Sequence, residues 1–289
     1  MGWVHQSKHV LRMPRIDSHQ HFWKFDSVRD SWINEEMLVI RKDFLPSDLA
    51  EHLQRNDFDG SVVVQSHQSE EENMFQLSNA EQNDFIKGVV GWVDLQANRI
   101  EERLAFYSLF KKMKGFRHVL QGETQRDVML SPKFMNGISK LERFGFTYDI
   151  LIFQDQLQYI PEFVAVFPNQ KFVIDHIAKP NIRDKDINQW KEGIEAIAKY
   201  ENVHCKISGM VTEADWQNWK QEDFTNYLDV VVNAFGINRI MYGSDWPVCL
   251  LAAEYDKQLS VLKNYFSSFS QQEQELFFGD NATQFYNLS

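Results

Sequence analysis

Short apolar runs rich in β-branched residues alternate along this chain with longer segments whose apolar positions recur at helical spacing. Ser61-Val62-Val63-Val64-Gln65 is the clearest run, continuously apolar as expected of a strand buried on both faces. Similar strands are expected at 15–23, 86–94, 115–119, 146–151, 171–176, 202–208 and 239–245. Between them, helical patterns are expected from 46 onward (Leu49 and Leu53 at i and i+4) and over 70–82, 100–112, 134–143, 156–167, 190–200, 224–235 and 253–266. Gly60, Gly145, Pro168 and Gly236 fall where these elements should stop. Eight strands each followed by a helix, with no Pro/Gly/Ser-rich break, predict an α/β chain folded as a single (β/α)8 TIM barrel. The barrel domain is expected over 14–289, with residues 1–13 a flexible N-terminal extension. Residues 23–45 lack clean periodicity and are too long for a simple turn, which points to a lid or binding loop.

Composition narrows the function. The chain has 289 residues, 43% hydrophobic with 23 Phe and 8 Trp, enough for a large core. Its formal net charge is -11 without any basic block, which argues against nucleic acid or an anionic membrane surface as partner. Cys205 and Cys249 have neither disulfide-framework nor C-x-x-C spacing and read as buried thiols in a reducing compartment. No stretch reaches transmembrane length and the first fourteen residues have no apolar signal core, so a cytoplasmic location is expected. Oligomeric state is left open.

The candidate chemistry lies at the carboxyl ends of the strands, where barrels of this type gather it. Arg15-Ile16-Asp17-Ser18-His19-Gln20-His21-Phe22-Trp23 opens the barrel. Strand alternation puts His19 and His21 on one face, roughly 7 Å apart. Strand 2 ends near His67, strand 6 at His176, strand 7 carries Lys206 and Ser208, and strand 8 ends at Asp245. Burying such groups unpaired inside apolar strands is unfavourable, so packing explains them poorly. Together they suit addition of water to a polarised carbonyl. Asp245 would be the general base, with His19, His21 and His176 stabilising the carbonyl oxygen. His19, His21 and Asp245 could instead hold a divalent ion. Asp17, Asp149 and Asp175 read as supporting or structural carboxylates.

Several blocks occur in a fixed order after the opening motif: Gly91-Trp92-Val93-Asp94-Leu95, Gly115-Phe116-Arg117-His118, Asp175-His176-Ile177-Ala178-Lys179-Pro180, Lys206-Ile207-Ser208-Gly209 and Tyr242-Gly243-Ser244-Asp245-Trp246-Pro247. With them the chain resembles the amidohydrolase superfamily, in its amidohydrolase-2 branch, and there most the sugar lactonases of the L-fuconolactonase and L-rhamnonolactonase type. The resemblance implies a distorted TIM barrel that opens a lactone ring to a sugar acid. It places His19 and His21 on strand 1, His176 on strand 6 and Asp245 on strand 8. Metal-dependent relatives usually add a histidine from strand 5. Here that strand reads Phe-Thr-Tyr-Asp-Ile-Leu, and strand 4 offers neither Lys nor Glu as a bridge. The expectation is therefore no required cofactor, with one divalent metal such as zinc as the alternative, and no binuclear centre. The expected partner is a small-molecule lactone, uncharged because few arginines fall at the mouth. His67, Trp92, His118, Lys179, Lys206 and Trp246 are candidates to bind it, with Trp23 and Trp32 as further aromatic platforms. Arg117 and His118 must face opposite ways, so one of the two points inward. Two other readings stay open: a mononuclear metal-dependent hydrolase or decarboxylase, and a catalytically dead sugar-binding barrel.

Overall fold

A computed structural model describes residues 12–289, so most of the expected extension at 1–13 lies outside the described residues. Eight strands form one parallel sheet in sequential order: β1 Ile16–Gln20, β2 Gly60–Val64, β3 Ile86–Gly91, β4 Met113–His118, β5 Thr147–Ile150, β6 Phe172–Ile174, β7 Val203–Ile207 and β8 Ile240–Tyr242. The sheet closes on itself past the end of β8. His21 N donates to Trp246 O at 2.7 Å and Asp245 N to His19 O at 2.8 Å. This is the (β/α)8 TIM barrel that the strand count anticipates.

Helices α1 Pro46–Arg55, α2 Glu70–Gln82, α3 Ile100–Tyr107, α4 Pro132–Leu141, α5 Ile160–Ala165, α6 Asn188–Ile197, α7 Glu222–Phe235 and α8 Tyr255–Phe266 follow the strands in turn. Their starts are written locally. Pro46 and Pro132 occupy first turns, where their missing N–H is not needed, and Ser69 and Ser131 accept from Glu72 N and Phe134 N. Two short helices, α9 Gln271–Glu275 and α10 Asn281–Phe285, complete the described chain.

Four expected boundaries move for physical reasons. The helix expected to Lys112 stops at Tyr107, because β4 already begins at Met113. The helix expected over 156–167 divides into a 3-10 turn, Gln154–Tyr159, and α5. β6 and β8 are three residues each, shorter than 171–176 and 239–245, because the chain leaves the ladder before His176 and Asp245. The loop 23–45 is ordered by a 3-10 helix, Glu35–Ile40, and an antiparallel bridge between Trp23 and Phe44.

Alternation divides the barrel into two apolar bodies. Outward residues such as Val63, Val89, Phe116, Tyr148, Ile174, Cys205 and Ile207 pack on helix residues including Leu77, Leu104, Ile138, Phe163, Ile194 and Leu228. Inside, Ile16, Val62, Val64, Val90, Val173 and Met241 are plugged from below by Ala282, Phe285 and Tyr286. The polar layer that carries the site lies above this plug. Among the described residues no helix is long and apolar enough to cross a membrane.

Candidate active site

Three imidazoles and one carboxylate converge above the plug. His21 Nε2 is 3.3 Å from Asp245 Oδ1 and 3.2 Å from His19 Nε2. His19 Nε2 and His176 Nε2 each lie 3.8 Å from the same Asp245 oxygen. All four residues are buried. His19 and His21 sit at the end of β1 as the strand period requires. The other two arrive by unusual backbone. From His176 to Lys179 four consecutive residues have positive φ (53°, 47°, 59° and 48°), and Asp245 has φ 56°. Such left-handed conformations are disfavoured for residues with a Cβ, most of all β-branched ones, and cluster where function constrains the chain. The left-handed turn after β6 is held by Trp190 Nε1, which donates to Ile177 O at 2.7 Å. Gly209 (φ 62°) gives the ring room, since a Cβ there would stand 2.7 Å from His176 Nδ1 and 3.2 Å from Asp245 Oδ2.

Each histidine is gripped on its far nitrogen. His21 Nδ1 donates to Val64 O at 2.7 Å, which leaves Nε2 facing Asp245 and His19. His176 Nδ1 meets Ser208 Oγ at 2.9 Å. His19 Nδ1 faces Lys206 Nζ at 3.2 Å and Asp175 Oδ1 at 3.3 Å. Burial pushes His19 and His176 well below the usual imidazole range, so both are neutral near pH 7. Burial alone would raise Asp245. His176, His21 and Lys179 outweigh it and hold the carboxyl below the ordinary value.

Beneath these groups lies a quartet of buried charges, one from each of β4, β5, the end of β6, and β7. Lys206 Nζ is 2.5 Å from Asp149 Oδ2 and 3.1 Å from Asp175 Oδ1. Arg117 donates to Asp175 Oδ2 at 3.0 Å and to Gln65 O. Burial pushes Asp149 up, to about 6, whereas Lys206, His19 and Arg117 overcome burial at Asp175 and keep it well below its usual range.

Above them opens a cavity of about 400 Å³, with Trp23, Trp32, Val119 and Leu151 among its apolar walls and Ser66, Gln68 and Gln121 among its polar ones. His21, His176, Asp245, Arg117, His67 and Lys179 also reach it; His19 lies underneath. The other expected substrate contacts are elsewhere. Lys206 is fully buried in the quartet. Trp246 packs among Phe22, Phe44 and His52 on the helical side. Trp92 donates to His118 Nδ1 at 3.2 Å, and His118 Nε2 meets Glu123 at 2.7 Å, so that pair ties β4 to its loop rather than lining the cavity. Arg117 is the inward member of its pair. The signal for it was Phe116, whose apolar side chain claims the outer face of β4.

The amidohydrolase family (Amidohydro_2) matches residues 16–288. The chain belongs to this family. An L-fucono-1,5-lactonase of Burkholderia multivorans is 36% identical to this amidohydrolase over 285 residues, 95% of this chain and 96% of that one. A second L-fucono-1,5-lactonase, from Burkholderia ambifaria, is 32% identical over 95% of this chain and 96% of its own. A crystal structure of a Burkholderia multivorans amidohydrolase with bound zinc superposes with a TM-score of 0.93 at 36% identity, covering 96% of this chain and 100% of that one.

Proposed function

We propose that this amidohydrolase is a lactonase that opens the ring of a sugar lactone with water. The observation that carries the reading is the convergence of three histidine Nε2 atoms on or beside Asp245 at the floor of a cavity walled by aromatic and uncharged polar groups. Such a cavity suits a ring with an apolar face and several hydroxyls. Asp245, ionised at neutral pH, takes a proton from water as its oxygen attacks the lactone carbonyl. His21 and His176, at the cavity surface, hold the charge that develops on the carbonyl oxygen, and His19 supports them from below. When the tetrahedral intermediate collapses, the ring C–O bond breaks and Asp245 returns the proton to the departing ring oxygen. The open sugar acid leaves. Lys179 and His67 are placed to meet hydroxyls, while Arg117, tied to Asp175, leaves little free positive charge for an acidic substrate. The likeness to two L-fucono-1,5-lactonases supports a deoxy-sugar lactone as the first substrate to try.

The donor set also fits one divalent ion. Tetrahedral zinc with bonds of roughly 2.0–2.1 Å places its ligand atoms about 3.3 Å apart. Here the His19, His21 and Asp245 donors are separated by 3.2, 3.3 and 3.8 Å. These three residues would hold the ion, and its chemistry would be to acidify a water and polarise the carbonyl. On strands 4 and 5 the possible ligands are engaged elsewhere, His118 by Glu123 and Asp149 by Lys206.

A panel of sugar lactones read by a pH indicator, with and without chelator, tests the reading. Asp245→Asn should lower turnover by about 10²–10⁴-fold in folded protein. Turnover that survives the change removes Asp245 from its role, and a panel without any substrate removes the reaction class.

A further inference from the structure

The Lys206 ammonium serves neither the cavity nor the surface, yet it touches the ring on which the site rests. His19 is a neutral imidazole with one proton and two nitrogens, and its surroundings offer two incompatible ways to place that proton. With the proton on Nδ1, the ring would donate to Asp175 and turn a lone pair toward the site. With the proton on Nε2, the ring would accept from Lys206 and donate into the site.

The geometry favours the second arrangement. Lys206 Nζ stands 3.2 Å from Nδ1 in hydrogen-bonding alignment. Asp175 Oδ1 stands 3.3 Å away and has no aligned donor. At the other end of the ring, Nε2 turns toward the Asp245 carboxylate, an acceptor 3.8 Å away that a proton on Nε2 would face favourably. The opposing contact, Arg117 Nη1 at 3.4 Å from Nε2, comes from a nitrogen that already donates to Asp175 at 3.0 Å.

We propose that Lys206 is a positioning residue that holds His19 as the Nε2–H tautomer, with its proton turned into the metal-free site, and that a divalent ion binds only by moving that proton to Nδ1 against Lys206. The ring carries one proton in both states: it leaves Nε2 and arrives on Nδ1, where Asp175 accepts it. Lys206 therefore weakens metal binding and keeps the site organised without metal. The inference deepens the proposed role of His19 but is read without any substrate.

The test uses the full chain, stripped with a chelator, with imidazole nitrogen shifts followed by NMR. The expected result is His19 protonated on Nε2 in the metal-free protein and on Nδ1 after one equivalent of zinc. In Lys206→Met, metal-free His19 should carry its proton on Nδ1, and zinc should bind at least about tenfold tighter in competition with a chromophoric chelator. Metal-free native protein with His19 protonated on Nδ1 overturns the proposal. So does a folded Lys206→Met whose zinc affinity is unchanged or weaker. Should that variant fail to fold, the tautomer of the native protein decides alone. Loss of lactone turnover with the expected tautomer would count against the proposed reaction and leave this inference standing.

Discussion

The inside of the barrel is built in two ways within one turn of its strands. The lower half is filled by Ile16, Val62, Val64, Val90, Val173 and Met241 against Phe285 and Tyr286. The upper half is filled by Arg117, Asp149, Asp175 and Lys206, with the histidines above them. Both are buried, but they are held by different physics. In the lower half each side chain contributes its own transfer and packing energy, and its loss is local. In the upper half no member is favourable alone, because a buried charge is tolerated only inside a balanced set with its hydrogen bonds made. Two cations and two carboxylates balance here. Tyr286 joins the halves: its ring belongs to the plug, while its hydroxyl donates to Asp149 Oδ2 at 2.8 Å and its face lies 5.4 Å from Lys206 Nζ.

The contrast can be broken from either side. Asp175→Asn should show the largest effect, a loss of about 3–5 kcal/mol in chemical denaturation, because it strands a buried positive charge. It should also disturb the site through His19, so turnover falls further than stability explains. Met241→Ala should cost about 2–5 kcal/mol by the cavity it leaves, with turnover of the folded protein kept. Equal damage to activity from both variants would erase the distinction.

A third test uses the polar intruder in the lower half. His204 packs 4.8 Å from the Phe285 ring, its Nδ1 lacks a partner, and burial lowers it to about 4. The folded chain keeps this ring neutral while the unfolded chain protonates it near its ordinary value of 6.5. Its share of stability is therefore complete above that pH and is lost as pH falls from 6.5 to 4, by about 3 kcal/mol at most. Asp17 and Asp149, both raised to about 6 by burial, act oppositely: the folded chain binds their protons first and gains stability as pH falls through that value toward 3.8. The difference between native protein and His204→Gln isolates the histidine. It should widen in the variant's favour from pH 6.5 to 4 in denaturation curves, and a flat difference would place His204 in water. The smallest effect is expected for Tyr286→Phe, about 1.5 kcal/mol from one hydrogen bond to a carboxylate, with the lower plug unchanged.

Much of this was legible in the sequence. His19, His21, His176 and Asp245 stood out as polar ends of apolar strands, and the strand count gave the barrel. The misplaced residues share a cause. Lys206 and His118 were read by their chemistry at a strand end. What decides their direction is the apolar neighbour: Cys205 and Ile207 take the outer face of β7 and turn Lys206 inward, whereas Phe116 takes the outer face of β4 two residues before His118 and keeps it outward too. The quartet could not be read at all, because it depends on four side chains from strands far apart in sequence meeting at one height. Nor could the left-handed turn after β6, which contains no glycine.

That turn marks where the natural sequence and the most stable one part company. Glycine populates left-handed backbone freely, so a sequence chosen on this backbone for stability alone would place it there. At Ile177, burial of a full side chain offsets the unfavourable φ. At Ala178 only a methyl group does. A redesign that ignored catalysis would therefore change residue 178 first, and in doing so would loosen the short rigid arm that carries His176 to Asp245.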